Sequence, residues 1–419
     1  MGAIYWRPGT LVAASSLLCT VTRVVALSSG AGGFRPRAAT PRGLNSVITF
    51  ARGWTGRHAD ARSSARRVVR CMCTDGGGPE ARTTPGGADS PPRRKVVFLG
   101  TPDVAARSLH LLVEASRAGA GGHFDVVSVV TQPPAPSGRK KKLTPSPVQV
   151  LAEAEGIPVL APHKARDEEF LEGLEALRPD LCVTAAYGQF LPRRFLDIPT
   201  YGTLNVHPSL LPKYRGASPV QRCLEAGEAS TGVSVVFTVL KMDAGPIVRQ
   251  EVTSLQGDEK APELLLHLFE VGTRQLIDCL PSVWDSSVRP REQDGDLACA
   301  ANKITSAEAE CDFCTMDART IHNKARAFAG WPGTWAYFRW GQDDSPRKIK
   351  LVTTAVGGGG GGGDGGGLGG DAAGREEVRL VEGALEVTCF DGSVLRVLEV
   401  QPPGKKAMAA QAFANGLRG

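Results

Sequence analysis

The chain has 419 residues, of which 42% are hydrophobic and 22% are charged, so it is long enough for two globular domains and shows no fibrous or disordered bias. Its net charge of +6 is uneven: residues 1–70 contribute +10, with eleven Arg against the single acid Asp60, which leaves −4 for residues 71–419. The overall charge of this slightly acidic body gives no argument for nucleic-acid binding, so any such contact must come from a local basic patch. No run in this body is apolar enough to predict a transmembrane span.

Residues 1–93 are rich in Arg and Ser, poor in acids, and end in a Gly- and Pro-rich stretch that can form little core. We predict an organellar targeting segment followed by a disordered linker; a plain disordered tail is the alternative. The apolar run LVAASSLLCTVTRVVAL, followed by GAGGFRPR, also resembles the two-part leaders of plastids acquired by secondary endosymbiosis. Mitochondrion and plastid therefore both remain open as destinations.

From residue 94 onward, short apolar runs alternate with amphipathic helical stretches. Four of the runs predict buried strands: KVVFLG, DVVSVVTQ, IPVLAP and DLCVTAAYG. The second helix between them begins at Ser146, a good N-cap, with Pro147 at its first position. This β-α-β-α-β-α-β order implies parallel strands with right-handed crossovers, so we predict a doubly wound, Rossmann-like α/β domain with a mostly parallel sheet over residues 94–286.

A linker is predicted over residues 287–305 and a second domain over residues 306–419. The second domain shows one helix and then several short strands: TWAYFRW, KIKLVTTAV, EVRLVEG, ALEVTCFDG and SVLRVLEVQP. Short strands with turns between them predict a small OB-like β-barrel. The Gly-rich run over residues 357–374 cannot pack a core, so it is predicted to be a flexible loop insertion.

Polar side chains mark the ends of two strands after this alternating region. Asn205 and His207 are two residues apart in TLNVH, so in a strand their side chains leave the same face. Pro208 ends the ladder, which places the pair at the carboxyl end of its strand, where open parallel sheets bind ligands. Asp243 follows a later strand beside a tight turn and is placed to meet His207. A capping Asn, a surface His and a turn-forming Asp are the purely structural alternatives.

Asn, His and Asp at neighbouring strand ends suit acyl transfer to an amine. The Asn amide can donate to a developing oxyanion, the imidazole can take or relay a proton, and the carboxylate can orient the imidazole. No G-x-S-x-G elbow supplies a nucleophile, and GTPDVAA is not a dinucleotide fingerprint. Cys311 and Cys314 form one CxxC without a second pair, so we predict no metal site.

Several motifs, in order and spacing, resemble those of the 10-formyltetrahydrofolate-dependent formyltransferases, and most closely the members that act on methionyl-tRNA. They are FLGTPDVAARSL, SGRKKKLTPSPVQV, DLCVTAAYGQFLPRR, LNVHPSLLPKYRGASPVQ, KMDAGPI and LEVQPPGKKAM. The resemblance runs from about residue 95 to the end. It implies transfer of a formyl group from 10-formyltetrahydrofolate to the amino group of initiator methionyl-tRNA, giving formylmethionyl-tRNA for organellar translation initiation.

The resemblance also implies roles for individual residues. Asn205, His207 and Asp243 fall on the family's catalytic positions. The segment lining the folate site corresponds to Ser209, Leu210, Leu211 and Pro212. We expect a monomer that uses no metal and binds no membrane.

Two basic clusters are candidates for contact with tRNA phosphates. They are Arg139, Lys140, Lys141 and Lys142 in SGRKKKL, and Lys405 and Lys406 in GKKAM. A solvated charge run is the alternative for the first cluster. Arg215 can serve either the tRNA or the glutamate tail of the folate. For Trp331, Trp335 and Trp340 we favour packing over stacking on RNA.

Two other functions share much of this pattern. A formyltransferase acting on a small-molecule amine would keep the Asn-His-Asp site but would lack the combination of basic loop, GKKAM and barrel. A non-catalytic RNA-binding relative would not need the intact site.

Overall fold

In a computed structural model of the chain, the described residues are 4–6, 93–138, 141–340, 345–357 and 376–417. The predicted targeting segment thus lies outside the described residues except at residues 4–6 and Arg93, and the Gly-rich insertion except at Gly357. All of the described residues belong to one compact unit.

The helices and strands of the described residues are numbered in chain order. The helices are α1 (Asp103–Ala118), α2 (Pro147–Ala154), α3 (Glu168–Leu177), α4 (Arg193–Leu196), α5 (Pro219–Glu225), α6 (Ala261–Trp284), α7 (Ala318–Ala327) and α8 (Ala410–Asn415). The strands are β1 (Ile4–Trp6), β2 (Arg94–Gly100), β3 (Phe124–Val130), β4 (Ala135–Ser137), β5 (Lys142–Thr144), β6 (Val159–Leu160), β7 (Leu181–Ala185), β8 (Thr203–His207), β9 (Arg215–Gly216), β10 (Ser230–Phe237), β11 (Ile247–Ser254), β12 (Ala300–Ala301), β13 (Thr334–Trp340), β14 (Arg347–Val356), β15 (Glu376–Val381), β16 (Ala384–Thr388), β17 (Val394–Gln401) and β18 (Met408–Ala409).

The first large sheet has the order β6-β3-β2-β7-β8-β10-β11. Its first five strands are parallel; β10 then pairs antiparallel with β8, and β11 pairs antiparallel with β10. Helices α1, α2 and α3 are the crossovers, and α2 has Ser146 as its N-cap, whose hydroxyl accepts the Gln149 N–H. These features confirm the predicted doubly wound α/β fold. The strand order reverses between β2 and β7, and ligands bind such sheets at the carboxyl ends beside that switch point.

Both faces of this sheet are covered by helices. Helices α1 and α6 pack on one face with residues such as Leu109 and Leu276, and α3 packs on the other with Leu174. Residues 96–99 of β2 are completely buried. Central strands buried on both faces read as continuous apolar runs, which is why the sequence predicted them.

The second large sheet is antiparallel and confirms the predicted small barrel. Strand β14 pairs with both β13 and β17, and β16 pairs with β15 and β17. Its core contains Phe338, Ile349 and Val397. Strand β1 differs from the expectation for residues 1–93, because its backbone pairs with β13 and β15, whose facing edges otherwise carry unpaired N–H and C=O groups.

Helix α7 joins the barrel to the first sheet's domain. It packs against both α5 and β14. The buried His322 on α7 forms a hydrogen bond with the carbonyl oxygen of Gly257 at 3.0 Å and another with the hydroxyl of Thr354 at 3.0 Å. Arg326 donates to the carbonyl oxygen of Leu224 at the end of α5. None of the described helices is both long and apolar enough to cross a membrane.

The segment between the two parts, residues 287–309, is called the connector below. Residues 287–305 of it were predicted to be a linker, yet the connector is bound along its length to the first domain. Arg291 and Ile247 exchange main-chain hydrogen bonds, and β12 pairs in parallel with β9. Arg222 on α5 binds Glu308 at 2.6 Å, and this hydrogen bond, with those from Thr305, lowers the pKa of Glu308 to about 2.

Gly272 in α6 allows that helix to pack directly on the strand that carries the candidate site. A Cβ atom at Gly272 would lie 2.4 Å from Val233 Cγ2 and 2.6 Å from Val206 Cγ1. Val206 lies between Asn205 and His207 in β8. Contact this close leaves no room for a methyl group without displacing α6 or β8.

We expect Gly272→Ala to lower the free energy of unfolding by about 1–3 kcal/mol, because overpacking a buried helix-sheet contact forces strain. Gly173→Ala in α3 is the matched control: its Cβ would meet nothing within 4 Å, so it should raise stability by about 0.5–1 kcal/mol. Denaturant unfolding of both variants measures the difference. A Gly272→Ala protein as stable as the wild type would contradict this packing.

Candidate active site

Strand β8 holds Asn205 and His207 between two neighbouring strands. In the register of the sheet, Asn205 pairs with Thr184 of β7, and His207 pairs with Ser234 of β10. Asn205 is half-buried and His207 is 5% exposed. The structure thus places both side chains at the carboxyl end of β8, as predicted, and fixes the strand on both edges.

The amide of Asn205 is oriented by a hydroxyl group on the next strand. Thr184 Oγ1 donates to Asn205 Oδ1 at 2.8 Å. With its oxygen occupied, the amide is set to present its nitrogen, which carries two N–H donors. This is the arrangement an oxyanion-binding residue needs.

The imidazole of His207 is oriented by a main-chain carbonyl group. His207 Nε2 lies 3.0 Å from the carbonyl oxygen of Tyr214. A carbonyl oxygen can only accept a hydrogen bond, so Nε2 carries the proton and, in the neutral ring, Nδ1 keeps its lone pair. The nitrogen able to take a proton is therefore Nδ1.

Asp243 faces that nitrogen. Its Oδ1 lies 3.8 Å from His207 Nδ1, with the two side chains 17% and 6% exposed, respectively. This distance is suited to attracting an imidazolium rather than to a hydrogen bond. The structure thus brings the three predicted catalytic residues together. The hydrogen bond that orients the imidazole is donated by His207 to Tyr214 and does not involve Asp243.

The two loops that face His207 have unusual backbones. Tyr214 and Asp243 have φ values of +60° and +49°, a left-handed region that costs about 1–3 kcal/mol for residues with side chains. Asp243 Oδ2 accepts the Gly216 N–H at 2.9 Å, which links the loops. The side chain of Tyr214 is also fixed, because its hydroxyl donates a hydrogen bond to Glu228. Burial, together with this hydrogen bond, raises the pKa of the Tyr214 phenol.

The predicted folate segment follows β8 directly. Ser209 is completely buried and its hydroxyl donates to the carbonyl oxygen of Lys213; Leu211 is 2% exposed. The main chain is engaged as well, since the Ser209 N–H donates to the carbonyl oxygen of His207 and the Leu211 N–H donates to the hydroxyl of Ser234 on β10. Only Leu210 and Pro212 present half-buried apolar side chains. The side chains of Ser209 and Leu211 are thus buried within the protein, and the Ser209 hydroxyl is bonded inside the loop itself.

A cavity of about 500 Å³ opens between the Asp243 turn and the connector. Its lining residues are Arg215, Gly216, Ala217, Met242, Ala298, Cys299, Ala300, Ala301, Asn302 and Lys303. The wall combines small apolar side chains with two cations. A larger cavity of about 720 Å³ lies beside Arg178 and Arg194 and contains none of the predicted site residues.

Four of the six basic residues predicted to bind tRNA are described by the structure, and these four are exposed on two turns. Lys141 and Lys142 lie on the hairpin formed by β4 and β5, and Lys405 and Lys406 lie on the turn before β18. Arg139 and Lys140 lie outside the described residues. Among the hydrogen bonds and ion pairs of the described residues, none links these four lysines to His207 or its partners.

The three tryptophans near the start of the barrel differ in how far they are packed against other residues. Trp340 packs edge-on against Phe413 with ring centroids 5.6 Å apart, in line with the packing interpretation. Trp335 lies under Lys348, whose Nζ is 3.6 Å from the ring centroid. Trp331 is 60% exposed and does not fit that interpretation.

Three residues of the site were missed by reasoning from the sequence: Thr184, Tyr214 and Gln293. Tyr214 acts through its carbonyl oxygen, which any residue would supply, and Gln293 lies in the predicted linker. Of the three, only Thr184 could have been found from the sequence, because it is a polar residue near the carboxyl end of an apolar strand. The described residues contain no group of three His, Cys, Asp or Glu side chains able to hold a metal ion.

Comparison with known proteins covers both parts of the chain. Residues 94–280 match the family model "Formyl transferase", and residues 303–418 match "Formyl transferase, C-terminal domain". The methionyl-tRNA formyltransferase of Frankia casuarinae is 39% identical over 331 residues, covering 77% of this chain and 94% of the relative. That of Lysinibacillus sphaericus is 35% identical over 321 residues, covering 77% and 95%.

Among solved structures, an N-formyltransferase from Helicobacter canadensis in complex with folinic acid and dTDP-3-aminofucose superposes with a TM-score of 0.51. It is 15% identical and covers 73% of this chain and 98% of its own. This likeness concerns the fold alone.

Proposed function

Because the chain belongs to the formyl transferase family, we infer that it is an enzyme that transfers a formyl group to methionyl-tRNA. Curated methionyl-tRNA formyltransferases align with it over 94–95% of their length at 35–39% identity. The match includes the C-terminal domain, so a small-molecule amine is the less well supported acceptor. The formyl donor of the family is a formyl-tetrahydrofolate, and we propose 10-formyltetrahydrofolate here, without a metal.

One observation carries the catalytic assignment: an oriented amide and an imidazole with an open Nδ1 leave the same face of β8. Formyl transfer joins the amine nitrogen to the formyl carbon and breaks the bond from that carbon to the donor nitrogen. In between, the carbonyl oxygen gains negative charge, the amine loses a proton and the departing nitrogen gains one. Asn205 and His207 offer the two groups that this reaction needs from a protein.

We assign the steps accordingly. The Nδ2 group of Asn205 donates a hydrogen bond to the developing oxyanion. His207 Nδ1 takes the proton released by the attacking amine and passes it to the departing nitrogen, so no covalent intermediate with the protein forms. Asp243, at 3.8 Å, stabilises the imidazolium while the proton resides there.

For the folate, we propose a division of roles within the predicted segment Ser209–Pro212. We propose that Leu210 and Pro212 provide an apolar edge for the ring system. Ser209 and Leu211 hold the loop in shape through their buried side chains and main-chain hydrogen bonds.

We expect the wild-type protein to formylate methionyl-tRNA, and the catalytic variants to lose kcat without unfolding. His207→Asn should lower kcat about 10²–10⁴-fold, because the proton acceptor is lost, and Asn205→Asp about 10²–10³-fold, because the oxyanion donor is lost. His267→Asn, an exposed histidine on α6, is the matched control and should behave as the wild type.

Two outcomes of that assay distinguish the proposed function from the catalytic assignment of His207. A folded wild-type protein that never formylates methionyl-tRNA would overturn the proposed function. An active wild-type protein with an equally active His207→Asn variant would overturn only the catalytic assignment.

We propose that the exposed Lys141 and Lys142 bind phosphates of the tRNA, together with Arg139 and Lys140 in the same loop and with Lys405 and Lys406. Replacing Lys141 and Lys142 by Ala should raise KM for the tRNA and reduce the slope of log Kd against log salt concentration by about 0.7–0.9 per lost contact. KM for the formyl donor should not change.

Arg274→Ala, which removes an exposed cation on α6, is the control for charge alone. An unchanged salt slope in the Lys141 and Lys142 double variant would show that this hairpin does not contact phosphates.

We further propose that residues 1–93 direct the enzyme to a mitochondrion or plastid, where formylmethionyl-tRNA begins translation. The Arg-rich, acid-poor composition supports this, and the family match begins only at residue 94. A fluorescent protein fused to these residues should collect in one of the two organelles. Diffuse cytosolic fluorescence would contradict the proposal.

A further inference from the structure

The side chain of Gln293, in the connector, forms hydrogen bonds with the turn around Asp243. Gln293 Nε2 donates to the carbonyl oxygens of Asp243, at 2.8 Å, and Gly245, at 2.7 Å. Both N–H donors of this amide are therefore used on one turn. Gly245 has no space for a side chain, since a Cβ there would lie 1.7 Å from the carbonyl oxygen of Phe237, so the turn is closed against β10 on its other side.

The same side chain also holds the loop that orients the imidazole. Gln293 Oε1 accepts hydrogen bonds from Arg215 Nη2 at 2.7 Å and Nε at 3.1 Å. Arg215 directly follows Tyr214, whose carbonyl oxygen binds His207. One half-buried amide thus ties together the two loops that face the two nitrogens of His207.

A second residue of the connector, Cys299, also binds the Tyr214 loop. Cys299 accepts the Tyr214 N–H at its sulfur, at 3.1 Å, and the Arg215 N–H at its carbonyl oxygen, at 2.9 Å. Gly216 permits the close approach, because a Cβ there would lie 2.6 Å from the carbonyl oxygen of Ala301. The main chain of the Tyr214 loop is therefore also held by Cys299, through contacts that do not involve Gln293.

We propose that Gln293 is a positioning residue for His207 and Asp243, which makes the connector part of the active site. Tyr214 and Asp243 both hold left-handed backbones that need outside support. Of the two loops, the Asp243 turn depends more on Gln293, since Cys299 also holds the Tyr214 loop. Loss of Gln293 therefore lets Asp243 move away from Nδ1 and releases Arg215 at the wall of the 500 Å³ cavity.

This inference rests on the proposed function, and Gln293→Ala tests it in the full-length protein. We expect kcat for formylation of methionyl-tRNA to fall about 10- to 100-fold, as small misplacements of catalytic groups do, with Tm unchanged and KM for the formyl donor within twofold of the wild type. Gln275→Ala is the matched control, a half-buried amide on α6 that binds Glu251 away from the site, and should keep wild-type kinetics.

Gln293→Glu separates the two contacts of the amide. The variant keeps an acceptor for Arg215 but loses both donors to the Asp243 turn. We expect its kcat to fall as far as that of Gln293→Ala, although only Gln293→Ala also loses the contact with Arg215. It also provides a second readout if Gln293→Ala proves unstable.

A double variant distinguishes positioning from general structural support. In an Asp243→Asn background, Gln293→Ala should lower kcat by no more than about twofold, because the group that it positions is already impaired. A wild-type kcat in Gln293→Ala, or an undiminished loss in the Asp243→Asn background, would overturn the inference. An inactive wild-type protein would instead count against the proposed function.

Discussion

The hydrogen bond from His207 Nε2 to the carbonyl oxygen of Tyr214 fixes which nitrogen of the imidazole carries its proton. Because a carbonyl oxygen cannot donate, Nδ1 is left with the lone pair and faces Asp243 at 3.8 Å. This bond has three consequences. The proton of the amine is taken by Nδ1, Asp243 lies beside the nitrogen that becomes charged, and the Tyr214 loop has to be held in place. A peptide carbonyl also has no charge of its own, so it orients the ring without competing with Asp243 for the imidazolium.

The surrounding fold serves to keep this geometry. Strand β8 is hydrogen-bonded on both edges, and α6 packs against Val206 so closely that Gly272 cannot carry a side chain. The loops after β8 and β10 lie outside the strand ladder, and the connector binds both of them. The connector therefore does more than join two domains. Its residues Gln293 and Cys299 bind the two loops that face the imidazole of His207.

The sequence predicted those features that depend on local pattern. Buried parallel strands are continuous apolar runs, Asn205 and His207 share a face by the two-residue period, and the turn after Asp243 is marked by Gly245 and Pro246. The missed features depend on contacts between distant residues or on main-chain atoms. Arg215 and Gln293 are 78 residues apart, and the carbonyl of Tyr214 has no sequence signature. The connector was predicted to be a linker because β9 and β12, two residues each, are too short to produce a periodic pattern.

The tautomer of His207 is the most direct test of this account. Nitrogen-15 NMR of protein labelled at histidine, with the His207 signals assigned by comparison with His207→Asn, reports which ring nitrogen is protonated in the neutral form. We expect a proton on Nε2 and an unprotonated Nδ1. A neutral His207 with its proton on Nδ1 would contradict the hydrogen bond to Tyr214 and, with it, the assigned path of the proton.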